Sequence, residues 1–445
     1  MTADSSPTAK LERALAGRFP AEDNIQPDLA RINDLLDLLG SPQRSYQSIH
    51  VTGTNGKSST TRMIDSLMRS FGVRTGCYTS PHLQSVTERI CVDGEPISAQ
   101  TLGAAYDELA PYIDLVDSRH DSPVSFFELL TGLAFAVFAD VPVDVAVVEV
   151  GLGGAWDATN VLAAPVAVIM PIALDHERYL GATIAEIAGE KAGIVHPGAS
   201  LIMAGQPAAA ADVLLRRAVE VEAQVAREGI EFGVHTREVA LGGQLLTLQG
   251  LGGLYDDIVL PLHGAHQASN AACALAAVEA FFGVGADRQL DIESVRAGFA
   301  EVESPGRLEV VRRGPTILLD AAHNPAGAAA LAAAVTESFT FDRLIGLVAV
   351  HADKDARGIL EQLVEVLDHV VVTTSASPRA LPARALEEIA IEVFGSERVS
   401  LSMSLPLAIE AAVERADSGE LGGGGVLITG SVVTVGEART LLRSR

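Results

Sequence analysis

The chain has 445 residues, which is enough for two domains with separate hydrophobic cores. Its 57 acidic and 32 basic residues give a formal net charge of -25 at pH 7, which argues against nucleic acid or an anionic membrane as a partner. The 3 cysteines are scattered, and the N-terminus has no basic segment before an apolar one, so we expect a cytoplasmic protein without disulfides.

Short apolar runs alternate with helical patterns along most of the chain. In chain order, the strand-like runs are SIHVTG, VDVAVVEVG, PVAVIMPI, TILLD, RLIGLVAV, HVVVTT and GVLITG. Because these runs are continuously apolar, they predict an α/β fold with parallel sheets covered by helices on both faces. Between Ala204 and Gly264, a long Ala-rich helix followed by Gly-rich pieces predicts an antiparallel excursion.

A domain boundary is predicted where Ser304, Pro305 and Gly306 interrupt the helical pattern and a new β/α series begins. The pattern predicts a large N-terminal domain, 1–304, with a mostly parallel sheet, and a smaller Rossmann-like α/β domain, 305–445. The four glycines at 422–425 predict a flexible surface turn before the last strand.

The stretch VTGTNGKSSTT, residues 51–61, lies between an apolar strand and a helical pattern. Gly53 and Gly56 let backbone N–H groups surround an anion, Lys57 reaches terminal phosphates, and the hydroxyl of Ser58 or Ser59 can ligate Mg²⁺. The common phosphate-loop spacing would need a glycine before Gly53. The alternative is an ordinary strand-to-helix turn that binds no ligand, but such a turn has little need of a lysine directly after a glycine.

Two further runs place acidic or imidazole groups at the ends of strands. Glu149 ends one run, and Asp175 and His176 follow another. Strand tips of parallel sheets are where α/β enzymes hold ligands, so a shared Mg²⁺ beside the phosphate loop is expected. A dinucleotide fingerprint is excluded because Trp156 takes the third glycine position, and a zincin motif is excluded by the missing second histidine. The alternatives are a solvent-facing Glu149 and a structural His176.

In the second half of the chain, DAAHNP puts Asp320 and His323 at another strand tip. Each domain thus carries polar groups at strand tips, and the expected site is the cleft between the domains. Lys191 lies near the end of an apolar helix. A lysine in such a place usually extends its ammonium group into water.

Ten stretches together resemble one family. GTNGKSS, TSPHL, VEVGLGGAWDATN, LDHERYLG, EKAGIV, HQASNA, SPGRLE, DAAHNP, HADKDA and TGSVVTVGEAR occur in the order found in the folylpolyglutamate synthase and dihydrofolate synthase family of the Mur ligase superfamily. The resemblance runs from about Pro27 to the C-terminus. It implies a phosphate-loop ATPase domain that also binds the pterin, followed by a glutamate-ligase domain. The implied enzyme is a monomeric ligase that adds L-glutamate to dihydropteroate, to tetrahydrofolate polyglutamates, or to both, through an acyl phosphate.

The resemblance also implies cofactors and their ligands. ATP, two Mg²⁺ ions and K⁺ are implied, and Lys191 matches a lysine that becomes carbamylated and helps to hold the second metal. Lys57, His176 and Lys191 are expected to be catalytic. The residues implied in ATP binding are Gly53, Thr54, Asn55, Gly56, Lys57, Ser58, Ser59, Asn270, Arg307, Asp320 and His323, and those implied in metal binding are Ser59, Ser80, Glu149, His176 and Lys191.

The remaining implied site residues belong to the organic substrates. Ser125, Phe126, Phe127 and Glu128, together with Trp156, Asp157 and Ala158, correspond to the pteridine pocket, where Phe127 could stack on the ring. Ser431 is implied in glutamate binding, and Asp320 and His323 lie toward the same end.

One departure and two rival functions remain. The family commonly has arginine where this chain has Ala155. We expect the absence of this arginine to weaken catalysis, so Ala155→Arg should raise kcat/KM. A cell-wall Mur ligase would need a separate N-terminal domain, for which the 52 residues before Gly53 are too few. A catalytically weakened nucleotide-binding paralogue is supported only by Ala155.

Overall fold

The computed structural model describes residues 7–18, 28–285, 288–418 and 423–443. Within these residues, an eight-stranded sheet organises the first half of the chain. From edge to edge its strands are β4 (Glu95–Pro96), β3 (Ile90–Val92), β2 (Thr75–Tyr78), β5 (Val145–Glu149), β1 (Gln47–Thr52), β6 (Val166–Ile169), β7 (Ser200–Met203) and β8 (Gln224–Arg227). In this spatial order, the strands β2, β5, β1, β6, β7 and β8 run parallel to one another, whereas β3 and β4 are added in antiparallel pairing at the β2 edge.

Two other sheets follow. A three-stranded antiparallel sheet has the order β11 (Leu254–Leu260), β10 (Gly243–Gln249) and β9 (Gly233–Ala240). A six-stranded sheet has the order β12 (Glu309–Arg313), β13 (Thr316–Leu319), β17 (Gly424–Thr429), β14 (Arg343–Val348), β15 (His369–Val372) and β16 (Val399–Leu401), parallel except for β12. The predicted α/β class, with its antiparallel excursion, is confirmed.

Helices cover both large sheets. Those of the first half are α1 (Ala9–Ala16), α2 (Ala30–Leu38), α3 (Lys57–Ser70), α4 (Ala99–Arg119), α5 (Phe126–Asp140), α6 (Glu177–Leu180), α7 (Ile184–Lys191), α8 (Ala208–Glu220), α9 (Ala265–Phe281) and α10 (Ile292–Ala300). Those of the second half are α11 (Pro325–Ser338), α12 (Ala356–Leu363), α13 (Ala383–Phe394), α14 (Leu405–Asp417) and α15 (Val432–Arg443). Of the helices in the described residues, none has the length and hydropathy that a membrane span requires.

The eight-stranded sheet is buried on both faces. Helices α3, α9 and α10 share one apolar cluster with residues of β1 and β5, and α4 and α5 form a second cluster on the opposite face. Helix α5 is apolar around most of its circumference because it is enclosed by neighbours, so its sequence shows no polar stripe. A capping box of Ser125 and Glu128 starts this helix.

The fold brings three strand tips together at one edge. Strand β1 pairs with β5 on one side and with β6 on the other. The phosphate loop follows β1, Glu149 ends β5, and Asp175 and His176 come shortly after β6. Because the three strands are parallel neighbours, their carboxyl ends lie side by side.

The predicted flexible turn at 422–425 is wrong for two of its glycines. Gly424 and Gly425 are buried and begin β17, while Gly422 lies outside the described residues. A Cβ at Gly424 would lie 2.0 Å from the carbonyl oxygen of Ala416, and one at Gly425 would lie 2.5 Å from the Phe341 ring. Glycine at these two positions lets the end of α14 and the Phe341 ring pack directly against the strand.

Candidate active site

A large cavity of about 1420 Å³ lies between the two halves of the chain. Its walls include the phosphate loop, both aromatic residues at the start of α5, and residues near the ends of β13, β14 and β17. Of the residues predicted for the site, those that line it are Thr54, Asn55, Gly56, Lys57, Ser58, Ser59, Ser80, Ser125, Phe126, Phe127, Glu128, Glu149, Trp156, Asp157, Ala158, His176, Asn270, Arg307, Asp320, His323 and Ser431.

The phosphate loop closes on itself at Lys57. The Lys57 ammonium group donates to the carbonyl oxygens of Gly53 at 3.0 Å and Thr54 at 3.2 Å. Burial lowers the pKa of Lys57. Gly56 has a φ of 86°, and a side chain there would meet the Asn270 amide at 2.7 Å. The loop therefore needs this glycine both for its backbone conformation and for its contact with α9.

Glu149 accepts hydrogen bonds from two predicted site residues. Its carboxylate accepts from the Ser58 hydroxyl at 2.8 Å and from the Ser80 backbone N–H at 3.0 Å. Within the described part of the chain, no cationic side chain lies within 4.0 Å of this buried carboxylate. Burial raises the pKa of Glu149. A carboxylate and a hydroxyl without a cation form a donor set that suits Mg²⁺.

Ser59, predicted as a metal ligand, lines the cavity but has its hydroxyl directed at Ser304 and Gln267 and not at Glu149. Its hydroxyl is 3.0 Å from that of Ser304 and accepts from the Gln267 side chain at 3.4 Å. Successive helical residues point about 100° apart, so only one of the two serines can face Glu149. In this structure that residue is Ser58.

Lys191 is buried at the end of α7, behind the phosphate loop. Its ammonium group donates to the Gly53 carbonyl oxygen at 2.9 Å. Burial lowers the pKa of Lys191 to about 7, so the amine is partly neutral at neutral pH. The predicted alternative, an ammonium group extended into water, is wrong, since only 3% of the residue is exposed.

His176 and Asp175 meet the second half of the chain. Lys354 donates to Asp175 at 2.6 Å, and its ammonium nitrogen lies 3.2 Å from His176 Nε2. Burial, followed by the Lys354 charge, lowers the pKa of His176 to about 3. The imidazole is therefore neutral at pH 7, the state in which it can ligate a metal.

A pair of side-chain amides also joins the first half of the chain to the second. Asn55 and Asn324 donate to each other's side-chain oxygens at 3.3 and 3.0 Å. Asn324 also donates to Asp175 at 3.1 Å, and its oxygen caps α11 through the Gly327 N–H. The phosphate loop and the second half are thus joined side chain to side chain.

The predicted residues of the second half differ in what they can offer a ligand. Asp320 accepts from the backbone N–H groups of Leu308 and Ala322, both at 2.8 Å, so its carboxylate braces the backbone beside Arg307. His323 Nδ1 lies 2.9 Å from the Ala321 carbonyl oxygen, which leaves Nε2 for other partners. Ser431 Oγ lies 3.1 Å from His351 Nε2.

The opposite end of the cavity is aromatic. Phe127 lies 5.9 Å from Tyr78, centroid to centroid, and packs closely on Gly151. Ser125 and Glu128, predicted to contact the pteridine, have their polar groups engaged in the capping box, and Glu128 also accepts from Arg31 at 3.0 Å. Phe126, Phe127 and Trp156 supply the apolar lining.

Asp157 is held by a buried relay that the sequence did not indicate. One oxygen accepts from the Thr159 hydroxyl and from its backbone N–H, and the other accepts from the Leu152 N–H. Because the hydroxyl donates to Asp157, it accepts from His50 Nε2, 2.8 Å away. Burial lowers the pKa of His50 to about 3, so a neutral His50 with its proton on Nε2 fixes Thr159 and, through it, Asp157.

We expected Ala155 to lie beside the pteridine pocket and the metal site, and it does not. Its side chain is exposed and outside the cavity wall, whereas Trp156 is part of that wall. Its N–H donates to the Glu190 carbonyl oxygen at 2.9 Å. A Cβ at Gly193 would come within 2.4 Å of Ala155 Cβ, so the methyl group packs over the turn after α7.

The sequence reasoning missed several polar residues of the cavity wall. They are Arg31, His82, Arg89, His351 and Lys354. Lys354 and His351 stand in HADKDA and His82 in TSPHL, so motif position was an available signal. Arg31 and Arg89 stand in no quoted motif, and only the fold brings them to the cavity.

Comparison with known proteins places this chain in a family. Residues 306–432 match the model of the Mur ligase glutamate ligase domain. A dihydrofolate synthase/folylpolyglutamate synthase of Mycobacterium tuberculosis is 54% identical over 97% of this chain and 93% of its own length. The protein of the same name from Bacillus subtilis is 32% identical over 94% of this chain and 96% of its own.

Solved structures agree in fold. The folylpolyglutamate synthase of Mycobacterium tuberculosis complexed with ADP and AMPPCP superposes with a TM-score of 0.93 at 53% identity, over 98% of each chain. Escherichia coli FolC in complex with DHPP and ADP gives a TM-score of 0.86 at 29% identity, over 100% of this chain and 99% of its own. With this identity over nearly its whole length, the chain belongs to the dihydrofolate synthase/folylpolyglutamate synthase family of Mur ligases.

Proposed function

We propose that the protein is an ATP-dependent ligase that joins L-glutamate to dihydropteroate, to tetrahydrofolate polyglutamates, or to both. One observation carries the proposal: a single cavity connects the phosphate loop with an aromatic pocket and with the second half of the chain. Such a cavity can hold a nucleotide, a long aromatic acid and an amino acid at once. Two related complexes, with ADP and AMPPCP and with DHPP and ADP, support this use of the cavity.

The chemistry proceeds in two steps. A carboxylate oxygen of the pterin substrate attacks the γ-phosphorus of ATP, and the bond to ADP breaks with its electron pair leaving on ADP. The neutral amine of glutamate then attacks the acyl carbon, the amide bond forms, the amine loses a proton, and inorganic phosphate leaves. Lys57 and the N–H groups at the start of α3 offset the negative charge of the transferred phosphoryl group.

For Mg²⁺ we propose Glu149, Ser58, Ser80 and His176 as protein contacts, with a carbamylated Lys191 toward a second ion. The buried Glu149 carboxylate supports this assignment, because no cationic side chain of the described residues lies within 4.0 Å of it. Mg²⁺ would neutralise phosphate charge during transfer. K⁺ stays a prediction without an assigned ligand.

At the ends of the cavity we propose that Asn270 and Arg307 contact the nucleotide, that Asp157 and Phe127 bind the pterin, and that His323 and Ser431 face glutamate. The boundary after residue 304 stays our proposed domain division, because strands from β12 onward form their own sheet. We further propose that the protein is cytoplasmic, which its three free, buried cysteines support, and that it is a monomer.

The test is phosphate release from ATP and incorporation of labelled glutamate, with dihydropteroate and tetrahydrofolate supplied separately. We expect release that requires both glutamate and one of the pterins. Release without glutamate, or no incorporation with either pterin, would contradict the proposal and favour a weakened nucleotide-binding paralogue.

His50→Leu is expected to raise KM for the pterin substrate by about tenfold, because Asp157 loses the relay that orients it. KM for ATP should stay unchanged. His50→Gln should restore most of the pterin KM, since a glutamine amide can donate from the position of Nε2. Equal effects of the two variants on steady-state KM would argue against the relay.

Ala155→Arg is expected to change kcat/KM for the pterin by less than about threefold. The side chain starts at the surface, and an exposed charge contributes little. Steady-state kinetics of the variant beside wild type provide the measurement. A gain of about tenfold would restore the original expectation that the missing guanidinium weakens catalysis.

A further inference from the structure

Arg89 is a buried arginine on the cavity wall. It precedes β3 and is 7% exposed. Its Nε donates to His82 Nδ1 at 2.9 Å, and its guanidinium carbon lies 5.4 Å from the centre of the Phe126 ring. Because an arginine Nε–H can only donate, His82 Nδ1 is the acceptor, and this contact fixes the plane of the guanidinium.

Among the residues that the structure describes, Arg89 has no carboxylate in ion-pair contact. No carboxylate there lies within 4.0 Å of its nitrogens, and Glu149 and Glu88 act on its charge from farther away. By contrast Arg31, which is also buried on this wall, pairs with Glu128 at 3.0 Å. A buried cation without a partner is costly, and an anionic ligand in the cavity would remove that cost.

The position of Arg89 identifies which anion this is. Thr79 N–H donates to the Arg89 carbonyl oxygen at 3.0 Å, and the next residue, Ser80, donates to Glu149 at the phosphate end. On its other side the guanidinium lies over Phe126, the neighbour of Phe127 in the aromatic pocket. Arg89 thus stands between the aromatic end and the phosphate end, where a pterin substrate must place its reacting carboxylate.

We propose that Arg89 binds the substrate carboxylate that receives the phosphoryl group, and that it continues to bind the acyl phosphate formed from it. This inference rests on the proposed function. Two parallel N–H donors of a guanidinium match a carboxylate, and they orient one oxygen toward the γ-phosphorus. Arg89 keeps its proton throughout, because the attacking oxygen is already ionised. His82 is a positioning residue that acts through Arg89.

The test compares the affinity of two ligands for the enzyme loaded with AMPPCP and Mg²⁺. One ligand is dihydropteroate, and the other is its analogue with hydrogen in place of the carboxylate. For Arg89→Met we expect a loss of about tenfold to a hundredfold in affinity for dihydropteroate and no loss for the analogue. Arg89→Lys, which keeps the charge without the paired donors, should lose several-fold for dihydropteroate alone. Equal losses for both ligands, or none, in either variant would overturn the assignment.

Matched controls distinguish loss of the carboxylate contact from a general loss of binding. Arg216→Met removes an exposed arginine of α8 and should leave both affinities unchanged. His82→Leu should weaken dihydropteroate binding, and His82→Asn should restore it, because an amide oxygen can accept from Arg89 Nε. If wild type neither binds dihydropteroate nor ligates glutamate, the proposed function itself fails. If wild type does both and Arg89→Met matches it, only the role of Arg89 fails.

Discussion

Lys57→Ala is expected to reduce kcat for ligation by about a thousandfold or more, the scale on which loss of a main charge stabiliser acts. Among the described residues, the hydrogen bonds of the Lys57 ammonium go to carbonyl oxygens of its own loop, so the fold does not depend on it. Without it, the helix N-terminus and the proposed Mg²⁺ have to offset the charge that develops on the transferred phosphoryl group. The rate of glutamate-dependent phosphate release is the measurement.

The control for this variant is Lys10→Ala, which removes an exposed lysine paired with Asp107 on the surface. It should retain wild-type kcat. Thermal unfolding midpoints of both variants should lie within a few degrees of wild type, which separates chemistry from folding. Near-normal turnover of Lys57→Ala would remove the basis for placing ATP in this loop.

Lys191→Ala is expected to be inactive, with a loss on the order of a thousandfold, and to recover part of its activity when a small carboxylate such as acetate is added. A carbamate forms only on a neutral amine, and burial lowers the pKa of Lys191 to about 7. Exogenous carboxylate could occupy the space that the side chain vacates and supply the missing oxygen donors. Activity against acetate concentration is the measurement.

Lys191→Met is the matched variant, because it keeps the apolar stem but fills the space. It should be inactive with or without acetate. Intact mass and a crystal structure of the active, magnesium-loaded enzyme provide the direct check. A free amine in both would show that Lys191 acts as an ammonium group, whose present contact is the Gly53 carbonyl oxygen.

The sequence predicted most of the central strands of the two large sheets because these strands are buried on both faces and therefore read as apolar runs, whereas an outer strand such as β12 is partly exposed. It failed where one residue type serves two purposes. Gly424 and Gly425 looked like a turn, yet they are strand residues whose missing side chains admit Ala416 and Phe341. The short strand Thr75–Tyr78, with glycine and threonine in it, has no apolar run to reveal it.

In the site, the sequence located groups at strand ends and missed those that depend on orientation. Glu149 and His176 could be placed because parallel strands end at one edge. The choice between Ser58 and Ser59 depends on helix rotation, which a motif does not encode. His50 looks like any residue of a buried strand, and its role appears only when Thr159 is seen beside it.

The contacts that join the two halves limit how such enzymes can exchange parts in evolution. Asn55 pairs with Asn324, and Asp175 pairs with Lys354, so each half supplies one member of each pair. A gene fusion that brought in a foreign second half would leave Asp175 buried without a cation unless the newcomer carried the equivalent of Lys354. Recombination at the boundary is therefore productive only between parents that share both pairs, which ties the inheritance of the nucleotide-binding half to that of its partner.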